Sequence, residues 1–382
     1  MILAAGCVSP QEEKPAQATP YETSAPEIKE DEITLAYTPE PEGMSETPEA
    51  TVPQHTPEPA AETPSAAALE TPPSNTQQPE DPSRRYAARD GIYTIAWISD
   101  PQHYSEKFPD TYYAMTSFLR DYSGEMRLSY IVNTGDLVNH PDAETEWSVA
   151  DKAQAMIEDI PNGVLAGNHD VLNPIGYKAF CEHFGEKRYQ NKPWYGGSFE
   201  NNRGHYDLLT IGGTDYLFVY MGFAPTKKAM DWVYDVFQKY PDRIGVLCLH
   251  DYYTKKLTLS EDGEKWHDKV VAKSPNLYMV MCGHKYGSYC FPETFDDDKD
   301  GKPDRTVYQM LFNYQASLHD GGGGYLRLIQ IDEAAGTMYH LTYSPVFLDF
   351  NRFDDPENRE EYYPYDEKNE EFVLPLPWRI EY

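Results

Sequence analysis

Short apolar runs, each followed by a small polar cluster, recur five times along this chain and set narrow limits on its fold. The runs are residues 92–98, 128–132, 164–166, 244–249 and 277–281. The clusters behind them read Asp100-Pro101-Gln102-His103, Gly135-Asp136, Gly167-Asn168-His169-Asp170, His250-Asp251 and Gly283-His284. Runs this short, rich in β-branched residues and bounded by Gly and Asp, read as strands buried on both faces. Residues 206–211, 307–312, 325–331 and 338–343 read as further strands, and apolar residues recur at helical spacing over 111–122, 144–157 and 229–240. Helices alternating with buried strands predict a layered α/β sandwich. In an open α/β sheet the loops at the carboxyl ends of the strands converge on one crevice. Two carboxylates, an amide and several imidazoles delivered there make a metal site of oxygen and nitrogen donors.

Composition divides the 382 residues near position 86. Residues 8–85 hold 15 of the 31 prolines, are rich in Glu, Thr, Ala and Ser, and carry no sustained apolar period. Such a segment cannot bury enough surface to offset its ordering entropy, so it reads as a disordered tether. Residues 86–382 suffice for one large core and a single domain. The formal net charge is -31, and the first 85 residues contribute 16 acids and 4 bases, which leaves -19 for the folded part. A domain this acidic has little attraction for a phosphate backbone, which argues against duplex nucleic acid as a partner. Metal cations and a small substrate suit it better.

No stretch approaches the roughly 20 apolar residues that span a bilayer. Residues 1–7, ending Leu3-Ala4-Ala5-Gly6-Cys7, resemble the end of a bacterial lipoprotein signal, whose Cys is acylated. That resemblance implies a protein held on the bacterial cell surface by lipid on Cys7, with 8–85 as its spacer; a cytoplasmic protein is the alternative. Cys248 and Cys282 lie on predicted core strands, where a thiol packs as a small hydrophobe. With Cys181 and Cys290 they form no recognisable disulfide framework.

Taken in order, Asp-x-Gln, Gly-Asp, Gly-Asn-His-Asp, His and Gly-His resemble the motif set of the calcineurin-like metallophosphoesterase superfamily, in its Asp-Pro-Gln sub-branch. The resemblance covers roughly residues 90–350. It implies a four-layer α/β/β/α sandwich and a phosphoester hydrolase using two divalent ions (Mn, Fe, Zn or Mg). Asp136 would bridge the ions, Asp100 and Gln102 would hold the first, and Asn168, His250 and His284 the second. A bridging hydroxide would attack phosphorus while Asn168 helps absorb the developing charge. His169 would protonate the leaving oxygen, and Asp170 would hold that imidazole in one tautomer. The substrate would be a phosphorylated small molecule or an envelope phosphodiester.

Two positions depart from the pattern. Gln102 stands where most of the superfamily has His, and an amide oxygen is a harder ligand that favours Mn, Fe or Mg over Zn; the neighbouring His103 is a substitute donor. The usual Gly-His-x-His reads Gly283-His284-Lys285-Tyr286, so the first ion loses an imidazole, and Lys285 is left as a fixed positive charge. These losses motivate a second reading, a non-catalytic surface binding module on a degraded phosphoesterase fold. Arg203 reads as a phosphate clamp and His205 as a group reaching the crevice. Asp296 to Gly301 has calcium-loop spacing, but Val307 occupies the twelfth position, so the segment reads as a solvated acidic hairpin. The glycines at 321–324 read as a flexible connection.

Overall fold

The computed structural model describes residues 84–171, 176–315, 321–350 and 367–382. Cys7 and residues 8–83 of the expected tether lie outside the described residues. Among the described residues, fourteen strands run in chain order as β1 (Ile92–Ile98), β2 (Leu128–Asn133), β3 (Asn162–Val164), β4 (Tyr195–Phe199), β5 (Gly204–Ile211), β6 (Thr214–Met221) and β7 (Ile244–Leu249). They continue as β8 (Leu277–Cys282), β9 (Gly287–Phe295), β10 (Arg305–Asn313), β11 (Leu326–Asp332), β12 (Thr337–Ser344), β13 (Asp349–Phe350) and β14 (Glu371–Pro375). One sheet has the order β13-β12-β11-β1-β2-β3, with β14 also paired to β12; the other runs β4-β5-β6-β7-β8-β10-β9.

The side-chain period of two sorts each central strand between two cores. From β1, Ala96 and Ile98 join one apolar cluster, while Ile95 and Trp97 join another that lies between the sheets. From β7, Val246 and Cys248 enter that same central cluster, and Leu247 and Leu249 face a third. The outer clusters are closed by helices. On the first sheet these include α1 (Gln102–Glu106), α2 (Pro109–Asp121), α3 (Ser123–Met126) and α4 (Glu144–Ala155), followed by the short α5 (Lys178–Phe184) and α6 (Glu186–Tyr189). On the second they are α7 (Lys227–Lys239) and α8 (Glu261–Lys269). The order of layers is therefore α/β/β/α, as the motif resemblance implies. In α7, Thr226 caps the first turn by accepting from the Ala229 N–H, and Ala229, Met230, Val233, Val236 and Phe237 form its buried stripe. Each large apolar side chain so buried contributes roughly 1.5–3 kcal/mol.

The structure corrects one point of the sequence reading: the third run ends its pairing at Val164, so Leu165 and Ala166 already belong to the loop that follows β3. Of the five polar clusters, three follow β1, β2 and β3 of one sheet, and two follow β7 and β8 of the other. Strand β6, which the sequence reading does not single out, is buried along most of its length and pairs in parallel with β7.

Candidate metal centre

Backbone contacts close the two groups of strand ends on each other. After β1 and β2, Asp100 N–H donates to the Gly135 carbonyl at 3.2 Å; after β7 and β8, Gly283 N–H donates to the His250 carbonyl at 3.2 Å. Between the sheets, the Phe223 N–H donates to the Ala166 carbonyl at 2.9 Å. Asp100, Asp136 and His284 have φ of 52°, 53° and 68°, a left-handed conformation that L-residues seldom take. Such strain costs of order 1–3 kcal/mol per residue and gathers at functional sites. Two glycines make room for the carboxylates: a Cβ on Gly167 would lie 2.1 Å from Asp136 Oδ1, and one on Gly283 would lie 2.3 Å from Asp100 Oδ2.

Asp136, His250 and His284 each bring one donor atom within 4.8 Å of the others. The Nε2 of His250 is 3.3 Å from Asp136 Oδ2 and 3.0 Å from Asn168 Oδ1, while its Nδ1 lies 2.8 Å from the Thr134 carbonyl oxygen. Asp100 borders the group, accepting from the His284 N–H at 3.1 and 3.2 Å and from the Ser99 hydroxyl. Gln102 donates through Nε2 to Asp136 Oδ2 at 3.2 Å and leaves its buried Oε1 with no hydrogen-bond partner.

Burial, with Asp136 nearby, pushes the Asp100 carboxyl up to about 7. Burial alone would lower His250, yet the adjacent Asp136 raises it to about 10. Burial, reinforced by the charge of His250, drops His284 to about 2. Positive charge is thus favoured where His250 faces Asp136 and Asn168, the sign of charge that a cation bound there would supply.

The calcineurin-like phosphoesterase family profile matches residues 93–299, a span that includes every donor named above. The chain belongs to that family. Among curated proteins it is 41% identical over 266 residues to the uncharacterized protein YvnB of Bacillus subtilis (strain 168). That match covers 69% of this chain and 21% of YvnB, so the chain spans about a fifth of that relative's length. Among solved structures, a dimetal phosphatase from Danio rerio is similar at a TM-score of 0.46 and 9% identity, over 74% of this chain and 99% of that one. A purple acid phosphatase from yellow lupin (Lupinus luteus) seeds is similar at 0.44 and 11%, over 77% and 56%.

A phosphoesterase of this family works with divalent ions, and the donors present fit two of them. The unpartnered, buried Gln102 Oε1 is a group that a cation satisfies and a protein donor does not. Asp100, Gln102 and Asp136 would hold one ion; Asp136, Asn168, His250 and His284 would hold the other. With Nδ1 directed at the Thr134 carbonyl, His250 would present Nε2 to an ion, an outer contact usual for metal-bound imidazole.

Three expected roles change in this protein. Asp170 does not orient His169: it accepts backbone N–H groups of Leu137, Val138 and Gly167 at 2.8, 3.0 and 2.7 Å, clamping the two motif loops together. His169 is oriented instead by the Asn139 carbonyl, 3.1 Å from its Nδ1. Arg203 is no free clamp, since it donates to the Ala224 carbonyl at 2.8 Å and to Glu200 at 3.3 Å and stacks over Tyr177. His205 is 2% exposed in the inter-sheet layer, stacked on Tyr220 at 4.4 Å, so it does not reach the crevice. His103, on α1, faces Glu106 at 3.4 Å.

Sequence reasoning misses Thr134, Asn139 and Phe223. The first two act through carbonyl oxygens, which every residue has, although both flank the Gly-Asp motif. Phe223 packs its ring 6.1 Å from His250 and 6.0 Å from His284, at the end of the unrecognised β6. On the β9–β10 hairpin, Asp296, Asp298 and Asp304 bring carboxylate oxygens within 4.8 Å of one another, all exposed, while Asp297 pairs with the buried Arg305 at 2.7 Å.

Proposed function

We propose that this phosphoesterase hydrolyses phosphate esters by attack of an activated water, with His169 as the acid for the leaving group. The observation that carries the reading is the meeting of Asp136, Asn168, His250 and His284, each behind a different strand, beside a separately oriented His169. Divalent ions bound by this donor set supply Lewis-acid stabilisation of phosphoryl oxygens and a reactive water at neutral pH. Asp136 holds the site in register, because its Oδ1 accepts the His169 N–H at 2.9 Å while Oδ2 faces His250. With Nδ1 of His169 committed to the Asn139 carbonyl, Nε2 is the nitrogen that delivers a proton to the departing oxygen. Asn168 adds an amide next to the charge that develops on the phosphoryl group.

The proposed setting is extracytoplasmic, with Cys7 lipidated and 8–85 as a spacer, and the proposed substrates are phosphorylated small molecules or envelope phosphodiesters. The -19 charge of residues 86–382 supports a small substrate over duplex nucleic acid. Metal analysis of the purified chain, with turnover of 4-nitrophenyl phosphate and bis(4-nitrophenyl) phosphate under added Mn, tests the reading. Two bound ions with turnover of either ester are expected. Bound metal with no turnover of either, across a range of pH, would overturn it.

A further inference from the structure

On the helix-bearing face of the first sheet there is a groove of about 310 Å³, near the lower limit of ligand pockets (roughly 300–1,000 Å³). It lies at Ile92, the start of β1, beside the end of β11 and the start of β12, whereas the candidate metal donors follow the far end of β1. The length of β1, about 20 Å, therefore separates the two places. Strand register builds the floor. Gln330 of β11 stands opposite Tyr339 of β12, and Tyr339 opposite Val373 of β14, so the three make one row across the strands. Arg85 pairs with Glu371 at 2.6 Å, and the Tyr339 hydroxyl donates to the same carboxylate.

Gln330 is the decisive group. Its Nε2 donates to the Arg85 and Tyr86 carbonyls at 3.2 and 3.0 Å, which fixes the amide and ties the 85–89 segment to the sheet. Among the described residues nothing donates to its Oε1, and that oxygen is not sealed in although the side chain is only 8% exposed. Oε1 therefore opens on the groove that Gln330 lines. A nearly buried acceptor held in this way calls for a donor from outside the protein.

The rest of the lining narrows the class of ligand. Arg85 and Arg89 are balanced by Asp332 and Glu371, so the groove favours neither an anion nor a cation. A purely apolar molecule would take water from those charges and from Gln330 without replacing its hydrogen bonds. A polyol meets both kinds of group, because each hydroxyl donates and accepts, while Ala87, Ile92, Val373 and the ring of Tyr339 offer apolar surface to its C–H face. We propose that this groove binds a neutral sugar ring of a glycan, at a site separate from the metal centre. The inference is independent of the hydrolase reading.

The test is saturation-transfer NMR on the full chain with maltose, cellobiose, lactose and N,N′-diacetylchitobiose, followed by titration of each sugar that binds. Ring protons of at least one disaccharide should receive saturation. Val373→Lys, a change at a 43% exposed position, puts an ammonium into the groove and should reduce the signal to background. Gln330→Met keeps the length of the side chain without its acceptor and should weaken binding by about 10-fold, the upper end for one neutral hydrogen bond. Because Val373 is on the surface, its variant reads the site even if Gln330→Met folds poorly. Metal content of Val373→Lys should match that of the native chain, since the metal centre is a strand length away. No transfer to any of the four sugars, binding of glucuronate alone, or binding that survives in Val373→Lys overturns the proposal.

Discussion

Nδ1 of His250 lies 2.8 Å from the carbonyl oxygen of Thr134, so a candidate ligand from one sheet is oriented by the backbone of the other. The candidate metal centre is therefore a property of the seam between the sheets. Whatever shifts one sheet against the other changes which nitrogen of His250 faces Asp136 and Asn168.

Asp136 is the one side chain that both proposed ion positions would share. Asp136→Asn keeps the shape of the side chain while removing the charge that would serve both ions. It should lower turnover by at least about 100-fold, since even outer contacts of metal ligands cost 10–100-fold. Metal content should fall with it, while the circular dichroism spectrum is retained. Full activity in that variant would sink the assignment.

His169 can be separated from the ligands by its dependence on leaving group. His169→Ala should slow alkyl phosphates by about 10²–10⁴-fold, the usual range for a general acid, and 4-nitrophenyl phosphate much less, because nitrophenolate leaves without a proton. Equal slowing of both esters would remove the acid role.

Arg203 sits behind the site, fastened to the Ala224 carbonyl and to the ring of Tyr177, whose hydroxyl donates to the Phe223 carbonyl at 2.6 Å. It thereby places Phe223 against His250 and His284. Arg203→Ala should weaken metal affinity by roughly 10-fold and leave KM for an aryl phosphate within about twofold at saturating metal. A clamp on substrate phosphate predicts the reverse, with KM rising and metal affinity intact.

His205 gives the fold a sensitivity to acid. Burial among Tyr189, Tyr195 and Tyr220 holds its imidazole at about 3, against about 6.5 in an unfolded chain. The native state refuses a proton that the unfolded state accepts. This group's contribution to stability is thus intact above about pH 6.5 and is lost as the pH falls from there toward 3. His205→Phe keeps the ring stack without the titration. Its melting temperature should fall less than that of the native chain between pH 6.5 and 4.5. Parallel curves would show that His205 is not responsible.

The strands behind the metal ligands were legible because central strands of a layered sandwich are buried on both faces and read as unbroken apolar runs; the limits of β1 and β7 coincide with the runs at 92–98 and 244–249. The ligand set was legible for a related reason: Asp, Asn and His immediately after such a run have few structural reasons to be there together. Strand β6 was not, although it is as buried, because no motif follows it to draw attention to its end. The roles of Arg203, His205 and Asp170 were misread because side-chain type shows what a residue can bind and not what already occupies it. Arg203 is consumed by a carbonyl and a ring, Asp170 by three N–H groups, and His205 by stacking.

The sequence alone determined which donor atoms this protein owns and that they stand at strand ends, since both follow from local patterning and from the identity of side chains. Only the tertiary structure decided which strand end comes from which sheet, and that the Thr134 and Asn139 carbonyls orient the imidazoles of His250 and His169. These are contacts between residues tens to more than a hundred positions apart, made by backbone groups and packing geometry that carry no mark in the order of amino acids.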